Sequence, residues 1–188
     1  MRTSRVEDAE LAALAQAGDR EAFGELVARH AAQVRRVCRT ILRNPADADD
    51  AAQDGFLAAL RNLGRYDPAR PFGPWLLRIV TNAAIDRRRR RGVRRAEHLP
   101  ESLASHTAGP AREAERAALR DALTAALGEL PERQRLAVVL FDAEGYTHRE
   151  IAQILRTPVG TVRSDVFHAR RKLREAMAPW KDHQEEAQ

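Results

Sequence analysis

The stretch Tyr146-Thr147-His148-Arg149-Glu150-Ile151-Ala152-Gln153-Ile154-Leu155, followed by Pro158-Val159-Gly160-Thr161-Val162-Arg163-Ser164, decides the fold. Thr147 and Glu150 have the Thr-x-x-Glu spacing of a capping box, which opens a helix by satisfying its first backbone N–H groups. Ile151, Ala152 and Leu155 follow at core spacing, and Ala152 is small where two helices must cross closely. Pro158 lies near the start of a second helix, which turns Val162 and Val166 inward and leaves Arg163, Ser164, Phe167, His168 and Arg171 to solvent or to a major groove. This is the pattern of a helix-turn-helix unit. A plain helical hairpin is the alternative. Against it stand the coincidence of capping box, small residue, Gly160-Thr161-Val162 and a basic second helix.

Working outward, helical signals continue in both directions. Residues 113–127 read as one helix, and Pro131 opens another through Leu136, Val139, Leu140 and Ala143 that Gly145 ends. Residues 136–141 alone could be a buried strand, but their helical flanks favour helix. The first half reads as four helices. Residues 7–17 form the first, which Gly18-Asp19 breaks, and Phe23, Leu26, Val27, Val34, Val37, Cys38 and Ile41 mark a long amphipathic second. Asn44-Pro45 opens the third, with a buried stripe of Ala52, Phe56, Ala59, Leu60 and Leu63. A loop over 64–74 leads to the fourth, from Trp75 into five consecutive arginines at 87–91.

The expected fold is therefore all-α: two small helical domains, residues 1–91 and 113–178, joined by a flexible linker over 92–112. That linker holds Gly92, Pro100, Ser102, Ser105, Thr107, Gly109 and Pro110 and no aromatic residue. The tail at 179–188 is too short for a further domain. About 20 linker residues stretch at most to roughly 65 Å, and two turns of B-DNA span about 70 Å. With domain widths added, the halves could reach sites two turns apart on one duplex.

The 188 residues carry 32 Lys+Arg against 27 Asp+Glu, a net charge of +5, and the pI is about 10.2. The positive charge is bunched, and arginine dominates it, which favours bidentate contact with phosphate and guanine. The single cysteine, Cys38, excludes an internal disulfide and a cysteine-based zinc site, and its apolar neighbours make it a buried small hydrophobe. No apolar run suits a signal peptide or a bilayer span, so a soluble, cytoplasmic protein with no membrane insertion is expected. No phosphate-binding glycine loop of the P-loop type is present. No catalytic residue, metal or cofactor is expected, and the chain reads as a non-enzyme.

Two further constellations carry information. Asp47, Asp49, Asp50 and Asp54 crowd the third helix, with no basic residue over 44–60. Three readings compete: stabilisation of a helix N-terminus for Asp47 and Asp49, a metal site without the spacing of an EF-hand loop, or an acidic protein-docking face through Asp47, Asp50 and Asp54. On the fourth helix, Arg78, Asn82 and Asp86 recur every four residues and share a face, with Leu76, Ile79, Val80 and Ala83 on the inner side. Asn pairs bidentately with adenine and Arg holds phosphate or guanine. The arginine run, Arg87 and Arg88 first, would track a nucleic-acid backbone.

With these residues in view, a family emerges. The stretch from Leu130-Pro131 to Leu173-Arg174 resembles the upstream-reading domain of bacterial sigma-70-family RNA polymerase sigma factors, most of all the short extracytoplasmic-function (ECF) group. The resemblance implies that this helix-turn-helix reads a minus-thirty-five element, with Thr147, Arg163, Ser164, Asp165, Phe167, His168 and Arg171 on the DNA side. The stretch Asp47-Ala48-Asp49-Asp50-Ala51-Ala52-Gln53-Asp54-Gly55-Phe56-Leu57 resembles the segment that binds the polymerase clamp helices, which implies polymerase contacts at Asp50, Gln53, Asp54 and Phe56. The stretch from Trp75 to Arg88 resembles the segment that reads and helps melt the minus-ten element, which implies DNA contacts at Trp75, Arg78, Asn82, Asp86, Arg87 and Arg88. The loop 63–74 corresponds to one that captures an unstacked base. There Tyr66 and Phe72 offer stacking surface, while Trp75 is equally well placed as core.

The resemblance spans residues 8–95 and 113–176. It implies core RNA polymerase and promoter DNA as partners, and an anti-sigma factor as a family expectation. Three departures stand out. Arg156 occupies a turn position that usually holds glycine, so the turn is expected to differ in shape. Asp165 and His168 stand where arginines are usual, so the upstream element is expected to be atypical and this half to bind DNA weakly alone. Two rival functions are a self-sufficient helix-turn-helix repressor or activator, and a metal-dependent nuclease built on the Asp cluster.

Overall fold

The computed structural model describes residues 7–95 and 111–180. Among the described residues the main α-helices follow in order: α1 Asp8–Gln16, α2 Arg20–Leu42, α3 Pro45–Asn62, α4 Phe72–Arg95, α5 Ala111–Glu129, α6 Glu132–Val138, α7 His148–Leu155 and α8 Val159–Ala176. A 3-10 turn, Leu63–Arg65, closes α3, and a π-helical turn, Val139–Ala143, continues α6. Among the described residues there is no strand, so residues 136–141 are helical.

Local chemistry sets the boundaries. The Asp19 carboxylate caps α2 by accepting from the Glu21 and Ala22 amides at 2.9 and 3.1 Å. Asn44 does the same for α3, accepting from Asp47 N at 3.1 Å, with Pro45 pre-set in the first turn. The capping box of α7 is complete: Thr147 N donates to Glu150 Oε2 at 2.8 Å, and Glu150 N donates to Thr147 Oγ1 at 3.3 Å. α4 starts three residues before Trp75, and Pro74 falls in its first turn, where its missing N–H costs nothing. The expected linker over 92–112 lies mostly outside the described residues; within them α4 runs on to Arg95 and α5 begins at Ala111.

α2, α3 and α4 pack together, with α1 across α2, while α6, α7 and α8 form the helix-turn-helix half. The stripe of α3 differs from the sequence expectation. Ala48, Ala51, Ala52, Gly55 and Ala59 face inward, and Leu60 is exposed with Leu57. The inner face is built of small residues because α4 lies so close: a Cβ on Gly55 would sit 2.9 Å from Val80 Cγ2. The two larger apolar residues are thereby turned to solvent.

The halves are not merely tethered. Leu26, Val37, Ile41, Leu77 and Val80 belong to one continuous apolar cluster with Leu136, Leu140, Ile151 and Ile154, and α4 lies against α7. Polar contacts line the same seam. Glu144, only 3% exposed at its side chain, accepts from Arg36 Nε at 2.7 Å and Gln33 Nε2 at 3.0 Å. Tyr146 donates its hydroxyl to Gln33 Oε1 at 3.0 Å. Arg43 donates to Gly128 O at 2.6 Å, and Arg88 meets Glu132. Arg135, 5% exposed, donates to Thr40 O at 2.9 Å and Leu130 O at 3.3 Å. It thus rests on the carbonyl-rich ends of α2 and α5, where helix dipoles favour a cation.

Candidate nucleic-acid interface

Two helical faces carry the polar residues singled out from the sequence. On α4, Leu76, Leu77, Val80, Thr81 and Ala84 are buried, and the Thr81 hydroxyl donates back to Leu77 O at 2.7 Å. The opposite side presents Asn82 and Asp86 to solvent and leaves Arg78 half-buried. Arg87 does not point freely away. Its guanidinium bridges Asp54 at 2.9 Å and Asp50 at 2.7 Å, tying the α4 cation to the α3 carboxylates. All three groups remain substantially exposed, so the bridge adds little stability. It also gives Asp50 and Asp54 a structural partner. Gln53 is exposed beside them, and Phe56 is half-buried. Leu57 and Leu60 extend the same outer side of α3 as an apolar patch that the sequence reading had missed. For Leu57 a signal was available, three residues beyond Asp54, whereas Leu60 was expected in the buried stripe.

The loop before α4 differs from expectation. Tyr66 and Phe72 are buried and form an aromatic cluster with Trp75 and His30, with ring centroids 5.0 to 5.4 Å apart. The Tyr66 hydroxyl donates to Arg70 O, and Gln16 Nε2 donates to Leu63 O and Tyr66 O at 2.8 and 2.9 Å, pinning the loop from α1. Stacking partners are present in this arrangement, but they pack against one another in tilted and edge-to-face pairs. Trp75 is half-buried, between the two roles considered for it.

In the second half, α8 exposes Arg163, Ser164 and Arg171, leaves His168 half-buried, and presents Phe167 at 64% exposure. Thr147 is exposed and committed to the cap of α7. Asp165 departs from the reading face. It is 4% exposed, and its carboxylate takes Arg133 Nε at 2.6 Å and Nη2 at 3.3 Å. That pair braces α8 on α6, and it holds the Arg133 guanidinium above its already high value. Arg156 also corrects an expectation. It adopts φ 51°, ψ 46°, the left-handed conformation glycine would take, so the turn keeps the glycine-type shape at the cost of some strain. Beside the outer face lies a groove of Phe141, His148, Phe167, Arg170 and Arg174. In it Phe141 stacks on His148 at 4.4 Å, and the Arg170 guanidinium sits 4.8 Å over the Phe141 ring.

Comparison with known proteins agrees with this geometry. The sigma-70 region 2 family matches residues 26–94, and the sigma-70 region 4 family matches residues 120–173. The ECF RNA polymerase sigma factor SigM of Mycobacterium tuberculosis is 41% identical over 88% of this chain and 82% of its own length. The sigma-H factor of Pseudomonas aeruginosa is 33% identical over 92% and 95%. Among solved structures, CnrH in complex with the cytosolic domain of CnrY superposes with a TM-score of 0.68 and 34% identity over 92% of this chain and 97% of the other. The chain belongs to the ECF sigma factors of the sigma-70 family. It is a DNA-binding transcription factor that directs promoter-specific initiation by RNA polymerase.

Proposed function

We propose that the labour is divided between the two faces. The α4 face, through Arg78, Asn82 and Asp86 with Arg88 and Trp75, takes the minus-ten element and helps to hold it open. The α8 face, through Arg163, Ser164, Phe167, His168 and Arg171 with Thr147, takes the minus-thirty-five element. The observation that carries this reading is the exposure of Asn82 and Asp86 on one half and of Arg163, Ser164 and Phe167 on the other, each on the outer side of a helix packed by its opposite face. With Asp165 turned inward, the upstream contact is left to arginine, hydroxyl and an apolar ring. Phe167 fits a thymine methyl, and arginine fits guanine or phosphate. The outer side of α3, with Asp50, Gln53 and Asp54 and the exposed leucines, is the surface offered to core polymerase.

On this reading the protein has no chemistry of its own and acts in the cytoplasm. The polymerase joins the nucleotides, and the sigma factor supplies position. No helix of the described residues is long and apolar enough to cross a membrane. A regulatory protein of the anti-sigma kind is a further partner, since the CnrH structure holds the cytosolic domain of CnrY.

Runoff transcription with core polymerase tests the assignment. Asn82→Ala and Arg163→Ala are each expected to lower promoter-specific transcript about 10- to 100-fold, the equivalent of roughly 1–3 kcal/mol for a lost base contact. Asn82→Ala should do so through the downstream element and Arg163→Ala through the upstream one. Transcript levels equal to wild type on mutated and intact elements alike would remove these residues from the interface.

A further inference from the structure

We infer that the π-helical turn Val139–Ala143 clamps α8, with Phe141 and Asp142 gripping the Arg170 side chain by ring and by carboxylate. Arg170 is thereby a positioning residue for the upstream contact and not itself a contact with DNA. The inference rests on the assignment of α8 to the upstream element.

Position along the helix would suggest otherwise. Arg163, Phe167, Arg170 and Arg174 follow one another on α8 at intervals of four, three and four residues, and all are exposed. At 3.6 residues per turn they form one stripe, so Arg170 shares the face of Arg163 and Phe167. Its guanidinium nevertheless goes to the π-helical turn. Arg170 Nε donates to Asp142 Oδ2 at 2.9 Å, and Nη2 donates to the other carboxylate oxygen. The cation also sits over the Phe141 ring, 4.8 Å from its centre. Two N–H groups on one carboxylate fix the plane of a guanidinium as well as its place, and the ring takes up its face.

The backbone shows how one side chain meets two successive residues. In α-helical register Phe141 and Asp142 would point about 100° apart. The turn that holds them is wider, with Glu144 N donating to Val139 O five residues back, and both side chains reach Arg170. Phe141 also meets His148, the first residue of α7, with ring centroids 4.4 Å apart. One ring therefore relates the start of α7, beside Thr147, to the middle of α8. On the buried side of α8, Asp165 with Arg133 makes a second tie, to α6. Apolar packing is non-directional and resists a small roll of α8 only weakly. Ties on both sides resist it directly, and Arg163 and Phe167 take their direction from the result.

Stability is not what the clamp supplies. The Arg170 and Asp142 side chains are 48% and 40% exposed, and an ion pair so open to water adds little. A bidentate bond still supplies direction, and a recognition site loosened by about 1 Å loses its function.

Runoff transcription by holoenzyme built on the full chain tests this. One template carries a promoter with its upstream element intact, and the other carries that element substituted. The ratio of the two transcripts measures upstream discrimination and cancels any change in general DNA affinity that altered charge brings. Arg170→Lys keeps the cation, and with it any phosphate contact, but cannot make the fork. Arg170→Lys and Asp142→Ala should each lower the ratio about three- to tenfold, a share of the discrimination that one well-placed base contact supplies. The double variant should fall no further than the lower single one, since both break the same clamp. Phe141→Leu should lower the ratio too, while Tm stays within about 2 °C of wild type throughout. A ratio unchanged by Arg170→Lys and Asp142→Ala would overturn the proposal, as would equal losses from both templates or losses that add in the double variant. Transcript kept by Arg170→Lys but lost from both templates by Arg170→Ala would make Arg170 a phosphate contact instead. Arg163→Ala, run alongside, separates the two levels of the argument. If it lowers the ratio and Arg170→Lys does not, the clamp alone fails; if neither does, the upstream assignment fails and the clamp with it.

Discussion

Arg156 ends α7 in a conformation that costs an L-residue about 1 kcal/mol and glycine almost nothing. Arg156→Gly is therefore expected to stabilise the protein by at most about 0.6 kcal/mol once the added freedom of the unfolded chain is counted, and to raise Tm by no more than roughly 2 °C. Calorimetry checks this; a lowered Tm would mean the side chain makes contacts that outweigh the strain. Asp165 leads to the opposite kind of expectation. Asp165→Arg sets a second guanidinium against Arg133 in a buried position and should cost about 3 kcal/mol in a urea titration, before any effect on DNA is felt. A variant as stable as wild type that grips its promoter harder would return the carboxylate to the reading surface. The two residues differ in how far the sequence could be trusted. At Arg156 the sequence marked the turn position correctly, but the expected change of shape did not follow, because the turn tolerates the strain of a left-handed arginine. The orientation of Asp165 depends on Arg133, 32 residues away, and helical periodicity alone cannot decide which edge of α8 meets α6.

At the scale of the helices, glycine separates packing from propensity. Gly55 sits where α3 and α4 cross, against Val80, which is itself fully buried. Gly55→Ala should lose about 1 kcal/mol, because overpacking exceeds the helix-propensity gain. Gly24, in α2, has nothing within 4 Å of where a Cβ would lie, so Gly24→Ala should gain about 0.5–1 kcal/mol. Chemical denaturation of the pair settles both; a stabilising Gly55→Ala would mean that the α3–α4 crossing can relax. Most helix starts were legible because Asp19, Asn44-Pro45 and Thr147-Glu150 are local signals that the backbone obeys. The π-helical turn was not, since one extra residue per turn leaves no mark in composition; Glu144 N donates to Val139 O, five residues back. The outward turn of Leu60 was equally hidden, because alanines as well as leucines can line a buried stripe when the neighbouring helix lies close.

Across the whole molecule, the shared interior makes Cys38 a reporter. Its thiol is fully buried, and burial, with the nearby Asp49 charge, pushes it up to about 12. At pH 8 the thiolate is scarce and shielded, so alkylation by iodoacetamide should proceed only through unfolding of the first half. Mass spectrometry should find the native chain unlabelled while the urea-denatured chain reacts at once; rapid labelling of the native protein would mean that α2 opens locally. The existence of two helical units, and the outward turn of Asn82 and Asp86, could be read from periodicity and spacing. Their mutual packing could not, since contacts such as Gln33 with Glu144 join residues 111 positions apart and leave no pattern in either segment. This separation along the chain has a consequence for synthesis. The C-terminal end of α4, at Arg95, leaves the ribosome about sixty residues before the end of α7, at Leu155. At ordinary elongation rates that is roughly 3–12 s. During that interval the side of α4 that later packs on α7 has no partner, and the nascent first half rests on the contacts among α1 to α4 alone.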